Sequence, residues 1–197
     1  MRRLAGAALD VLGGLERAAA EWRTRRRWQQ LRAMGMKIGK GVHLPVSTWI
    51  DSSHCYLISI GDNCRFGPYC LILAHDALMD QYLDAGRLGR VVIGPGCQIG
   101  ARCVILCNVE IGAGSVVEAG SVVAASLPAG AYCAGSPARV VCSIEEYAAR
   151  LEKETRGRPV LSSEELSRRV RDPKARESLL AELAQGPTLV RGDSDSG

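Results

Sequence analysis

At 197 residues and 21.1 kDa, the chain is long enough for one domain with a substantial core plus appended segments at either end. Aromatic residues make up only 5% of it while glycine numbers 22, so the interior has to be packed from small and branched aliphatic side chains, which suits a repetitive fold. A net charge of +4 and a pI near 8.7 are too weakly basic to imply a nucleic-acid partner, and no stretch nears the roughly 20 apolar residues that a membrane span requires.

Residues 1–35 form an N-terminal segment. Leu4, Ala8, Val11, Leu12, Leu15, Ala19 and Trp22 recur at helical spacing, which predicts a helix over residues 2–32 with a break near Gly13–Gly14. Arg23, Arg25, Arg26 and Arg27 place the basic excess between Trp22 and Trp28. Such a helix either packs on the end of the following domain or makes a peripheral contact with an anionic membrane. Arg2 and Arg3 precede an apolar run in the manner of a signal peptide, but Asp10 and the glycine pair interrupt it. The expected compartment is therefore the cytoplasm.

From Met36 an aliphatic residue falls at every sixth position: Ile38, Leu44 and Ile50, then Ile60, Phe66 and Ile72. After a break the series resumes as Ile93, Ile99, Ile105, Ile111, Val117, Val123, Ala129, Gly135 and Val141. Each hexad supplies one short strand and one corner, and three of them make a triangular coil that buries its inner face only against its neighbours. Residues 36–142 are thus expected to be an all-β solenoid, a parallel β-helix with α-helices flanking it on both sides. The register also accounts for five of the eight cysteines. Cys64, Cys70, Cys97, Cys103 and Cys133 all lie four positions after the hexad's aliphatic residue, a slot shared with Ser115 and Ser121. They read as buried free thiols, not as metal ligands or disulfides.

Two segments break the repeat. The first, Cys55 to Ser59, belongs to a four-residue excess that bulges one corner; the second is a long polar loop, residues 76–90. Loops that leave a rigid scaffold are preferred places for function. His75 stands at the root of the longer one, beside Asp76, and His54 at the edge of the shorter. Residues 143–197 are expected to hold a helix with the apolar stripe Ile144, Tyr147, Ala148 and Leu151, a short helix near 174–185, and a disordered tail.

The stretches IGDNCRFGPYCLILAHD, GRVVIGPGCQIG, EIGAGSVVEAGSVV and AGSPARVV resemble the hexapeptide-repeat O-acetyltransferases, of the maltose and polysaccharide acetyltransferase type. The resemblance covers about residues 36–142 and implies a left-handed β-helix and a homotrimer with active sites between subunits. The implied reaction moves an acetyl group from acetyl-CoA to a hydroxyl of a sugar or of a polysaccharide or glycolipid precursor. It carries the family's general base onto His75, which removes the hydroxyl proton as the oxygen attacks the thioester, with no acyl-enzyme. Asp76 is the candidate for orienting His75, and His54 for facing the acceptor. Ala101 and Ala119, one coil apart, match small residues against which pantetheine lies, and Arg139 in the GSPAR segment matches a basic residue near the nucleotide phosphates. Ala124–Ala125 stand where many relatives have Thr-Lys. Serine-type or amino acceptors, and a prism serving only as a scaffold, are open alternatives. A zinc enzyme of the carbonic anhydrase type needs three histidines per site, and the three of this chain, 11 and 21 residues apart, do not suggest that set. No metal is expected.

Overall fold

The computed structural model describes residues 18–19 and 22–191 and divides into two units between Ile144 and Glu145. In the first unit the chain visits three parallel sheets in turn. The first wall stacks Lys37–Ile38, Ile58–Ile60, Val91–Ile93 and Val109–Ile111; the second stacks Arg65–Phe66, Gln98–Ile99, Val116–Val117 and Ala131–Gly135; the third stacks Trp49–Ile50, Leu71–Ile72, Val104–Ile105 and Val122–Val123. The strands are two to five residues long because each hexad must also turn a corner. Their hydrogen bonds all run between coils, as from the Gly61 N–H to the Ile93 carbonyl at 2.7 Å and from the Asp51 N–H to the Ile72 carbonyl at 3.0 Å.

The hexad register holds from Leu44 to Val123. Ile60, Ile93 and Ile111 stack in one wall, Phe66, Ile99 and Val117 in the next, and Ile50, Ile72, Ile105 and Val123 in the third, all buried. Burying one such side chain contributes roughly 1.5–3 kcal/mol. Four of the slot cysteines behave as expected. The Cys64 and Cys97 thiols donate to the carbonyls of Gly94 and Gly112 in the coil above, each at 3.1 Å, and Cys70 and Cys103 repeat the pattern at the next corner. The hydrogen bond to Cys64, reinforced by burial, pushes the Cys97 thiol up from its ordinary range. At the corners glycine is needed for backbone proximity. A Cβ on Gly100 would run into the backbone nitrogen of Ala119.

The register slips after Val123. Leu127, not Ala129, bridges to Ile111, and Cys133 stacks on Val117. Ala129 and Val141 are exposed, and so is Gly135. Leucine buries far more apolar surface than alanine, so the last coil shortens by two residues to put Leu127 inside. Cys133 thereby moves from the small-residue slot into the aliphatic column, and the buried Ala131 takes the slot, with its N–H donating to Ser115 Oγ at 3.3 Å. Residues Ala138–Ser143 then run back antiparallel to Ala131–Gly135 and end the coil.

Both interruptions form structure. The first is a 3₁₀ turn, Ser52–Leu57, which lengthens the first coil so that Ile38 pairs with Ile60. The second is an antiparallel ribbon, His75–Asp76 with Arg87–Leu88, joined by the short helix Asp80–Leu83. Its tip exposes Leu78, Met79, Tyr82 and Leu83.

Before the coil, residues 22–33 are helical. Leu31 and Met36 are buried in one cluster with the first coil, Trp28 packs against that cluster, and the Cys55 thiol faces the Leu31 carbonyl at 3.8 Å. This part of the predicted helix packs on the end of the prism; residues 2–17, 20 and 21 of it lie outside the described residues. Trp22 remains exposed, with the Arg26 guanidinium over its ring at 5.3 Å. No helix among the described residues is long and apolar enough to cross a membrane.

The second unit is more ordered than its composition suggests. After the helix Ile144–Glu154, helices Ser163–Arg171 and Pro173–Leu183 follow, with a parallel pair Leu161–Ser162 and Val190–Arg191. Ser162 Oγ accepts the Glu165 N–H at 3.0 Å, and Asp172 accepts the N–H groups of Lys174 and Ala175. The Arg158 guanidinium gathers the carbonyls of Glu182, Gln185 and Gly186 at the end of the last helix. The signals were present as a capping box at Ser162 and an Asp-Pro start at Asp172. Residues 192–197, expected to be disordered, lie outside the described residues.

The slipped register is directly measurable by urea denaturation. Leu127→Ala is expected to cost about 2–5 kcal/mol, as for a core leucine, and Ala129→Ser to stay within about 0.5 kcal/mol of the parent. An unbroken hexad series reverses the order of the two.

Candidate active site

Asp51 follows the wall residue Ile50 and is only 2% exposed. A buried carboxylate must be hydrogen-bonded, and three groups meet it. His75 Nδ1 lies 2.5 Å from Asp51 Oδ2, His54 Nδ1 lies 3.3 Å from the same oxygen, and the Ala74 N–H supports the carboxylate from the backbone. The two imidazole rings are 4.7 Å apart and tilted by 46°. Burial pushes the Asp51 carboxyl up, but the His75 hydrogen bond, the charges of His75 and His54 and the Ala74 N–H outweigh it and hold the group below the ordinary carboxylate range.

The coil brings these residues together. In its first turn the coil repeat is 22 residues, as Ile50 stacking on Ile72 shows. Asp51 therefore lies under Leu73, and the 3₁₀ turn swings His54 back towards the ribbon that starts at His75. His54 itself has a non-helical backbone, φ −125° and ψ 24°, which kinks the turn at this point.

An ionised Asp51 can only accept, so His75 donates from Nδ1 and keeps Nε2 as its basic nitrogen; the tautomer follows from this hydrogen bond. His75 is 38% exposed and open to a reactant. The expectation that Asp76 orients His75 is corrected. The Asp76 carboxylate instead accepts the Leu78 N–H and the Arg87 guanidinium, each at 3.0 Å. Neighbouring residues of an extended ribbon point to opposite faces, so Asp76 cannot share the His75 side.

Ala101 and Ala119 lie at the other end of the third wall. They stack at one corner, where the Gly120 N–H donates to the Ala101 carbonyl at 2.8 Å. Arg139 pairs with Ala134 in the reversing hairpin, in the coil above Glu118, so this exposed residue stands at the top of the corner, with its guanidinium donating to the Ala138 carbonyl at 2.9 Å. Ala101, Ala119 and Arg139 thus share one corner, and His75, His54 and Asp51 another. Within one chain the two sets are not brought together. Beside the second set, Asp76, Met79, Leu83, Ala85, Gly86 and Arg87 line a cleft of about 460 Å³. Asp51, which sequence reasoning missed, has donor atoms shared with His54 and His75 within 4.8 Å of one another, a spacing that can hold a metal ion.

Residues 90–125 match the bacterial transferase hexapeptide (six repeats) family. The chain is 37% identical over 126 residues, 64% of its own length and 71% of the relative's, to the putative acetyltransferase YvoF of Bacillus subtilis (strain 168). Among solved structures it is similar to a hexapeptide-repeat acetyltransferase of Vibrio cholerae O1 biovar eltor complexed with acetyl coenzyme A, with a TM-score of 0.48 and 24% identity over 61% of this chain and 77% of that one. A maltose O-acetyltransferase of Clostridium difficile 630 gives a TM-score of 0.48 and 22% identity over 60% and 75%.

The pairing at Asp51 has a pH signature. Its folded pKa lies below the unfolded value, so the stability it contributes is present above about pH 4 and is lost as pH falls through the folded value. Asp51→Asn is expected to cost about 1–3 kcal/mol at pH 7, and the difference from the parent should shrink as urea midpoints are taken from pH 5 to pH 3. A difference independent of pH contradicts an ionised Asp51.

Proposed function

Because the chain belongs to the hexapeptide-repeat acetyltransferases, we propose that it transfers an acetyl group from acetyl-CoA to a hydroxyl, of a sugar or a saccharide-bearing precursor, with His75 as general base. The observation that carries this reading is the short contact of His75 Nδ1 with the buried Asp51 carboxylate. It locks the imidazole in the tautomer that offers Nε2, and it favours the imidazolium that forms when a proton is taken.

In this mechanism Nε2 removes the acceptor hydroxyl proton as the oxygen attacks the thioester carbonyl. The tetrahedral intermediate collapses, the C–S bond breaks, and the leaving thiolate takes the proton back from His75, giving an acetyl ester and free CoA. Asp51 is a positioning residue, since it acts through the imidazole. His54 faces the same opening on the acceptor side.

The small-residue corner suits the donor's extended arm. Ala101 and Ala119 leave backbone accessible where a larger side chain would fill the groove, and the guanidinium of the exposed Arg139 at its end, one nitrogen of which donates to the Ala138 carbonyl, suits a phosphate with its remaining donors. The reading includes a left-handed coil and a homotrimer. Support for the assembly comes from the outward column of the third wall, Trp49, Leu71, Val104 and Val122, which is wholly apolar, whereas the first wall presents Lys37, Ser59, Val92 and Glu110. That apolar column joins the two corners, so a second copy packed along it would set its own groove near the first copy's His75.

Thiol release from acetyl-CoA with a panel of sugars tests the reaction. His75→Ala is expected to lower the rate about 10²–10⁴-fold, and Arg139→Ala to raise the KM for acetyl-CoA with little change in kcat. Turnover by His75→Ala equal to that of the parent removes His75 as the base.

A further inference from the structure

We propose that Asp51, His54 and His75 also form a site for a divalent transition-metal ion, zinc by preference, whose occupancy takes the transfer base out of use; the second clause rests on the reading of His75 as that base.

The donor set comes first. Two imidazole nitrogens and one carboxylate oxygen suit zinc, cobalt or nickel, and not magnesium or calcium, which favour oxygen cages. Spacing comes second. A tetrahedral zinc ion binds such atoms at about 2.0–2.2 Å, which separates neighbouring ligand atoms by roughly 3.3–3.5 Å. His54 Nδ1 and Asp51 Oδ2 are already 3.3 Å apart, and the three ligand atoms lie within 4.8 Å of one another. The 2.5 Å contact between His75 and Asp51 has to lengthen by about an ångström, and the two imidazole nitrogens, which lie within 4.8 Å of each other, have to settle into the same range.

An independent observation is the state of His54. Its Nδ1 is buried and has no hydrogen-bond partner, one of two such side-chain atoms among the described residues. It lies near the Asp51 oxygen but is not aligned to donate to it. A buried nitrogen left without a partner beside a buried carboxylate is explained when an ion binds both. The supports are rigid as well: Asp51 continues a wall strand and is held by the Ala74 N–H, His54 is set by the 3₁₀ turn, and His75 by the ribbon. Partial exposure of His75 leaves room for a water as fourth ligand.

The consequence for transfer follows from tautomerism. When Nδ1 of a neutral His75 gives its lone pair to the ion, the ring proton moves to Nε2, and no net proton is released. Nε2 then has no lone pair in the ring plane with which to accept the acceptor's proton. Metal and base use the same imidazole in opposite tautomers, so each excludes the other.

The test is titration of the full chain with Co²⁺, whose d–d absorption reports coordination, followed by displacement with Zn²⁺. The expected result is one ion per chain with nitrogen and oxygen ligands only, bound about tenfold or more weakly by both His54→Ala and His54→Gln, with folding of each variant checked by circular dichroism. Zinc should suppress acetyl transfer by the parent over the range in which it displaces cobalt. Absence of binding, equal affinity in both His54 variants, or thiolate-to-cobalt charge-transfer bands from the cysteines overturns the site. Binding without suppression overturns the silencing and counts against His75 as base, whereas loss of transfer in metal-free His75→Ala upholds the base whatever the metal does.

Discussion

Everything in the first unit depends on one constraint: a coil with strands this short cannot satisfy its own backbone. Each N–H and carbonyl of a wall points along the prism axis to the next coil, as Gly94 does to Ile111 and Gly100 to Val117. Stability is therefore a sum of contacts between neighbours, and every column must present compatible side chains. Small residues at the corners, and thiols or hydroxyls in the slot behind them, are what allow the backbones to approach. The buried Cys64 and Cys97 serve this packing, donating upward to carbonyls that the corner would otherwise leave bare. Residues 22–33 and the reversed strand Ala138–Ser143 complete the same logic, since each end of a solenoid has unpaired groups and an open apolar face.

That constraint also explains how a cluster of polar side chains can be built without damaging the repeat. Extra residues cannot be absorbed within a wall, because they would throw every later column out of register. They must leave at a corner and return to it. The 3₁₀ turn Ser52–Leu57 and the ribbon from His75 to Leu88 do so at neighbouring levels. Two insertions at adjacent levels of one corner bring their roots into contact, and the side chains at those roots are His54 and His75. Asp51 directly follows the wall residue Ile50 where the chain first departs, and its buried carboxylate meets both of them.

The walls were legible because their period is long and their residues chemically uniform; Ile38 to Val123 could be placed from spacing alone. The slip at Leu127 was not, because Ala129 continues the arithmetic while Leu127 wins on buried area. Asp76 drew attention as the neighbour of His75 in the chain, yet adjacency along an extended segment puts two side chains on opposite faces. The true partner is 24 residues away, and the signal was available: once Ile50 is seen to stack on Ile72, Asp51 and His75 fall at the same corner. Likewise the 21 residues between His54 and His75 do not suggest a shared site along the chain, although they are close to one coil plus the bulge. Distances along the chain have to be converted into coil levels before clusters of functional groups become visible.

The Asp51 carboxylate is what gives the corner its chemistry. Removing a negative charge from water is costly, and one hydrogen bond from a neutral imidazole offsets only part of that. The His75 contact and the Ala74 N–H stabilise it, and the remaining imbalance favours any positive charge that can reach the corner. In the proposed transfer, that charge is the proton briefly held by His75, and the carboxylate would lower the energy of the protonated imidazole at the moment it forms. A divalent ion between the three side chains satisfies the same imbalance more permanently and engages the His54 nitrogen that the proton leaves unpaired. The geometry that would make His75 a good base is thus the same geometry that would make the corner a good ligand set, and the two proposed uses differ only in whether a proton or a metal supplies the charge.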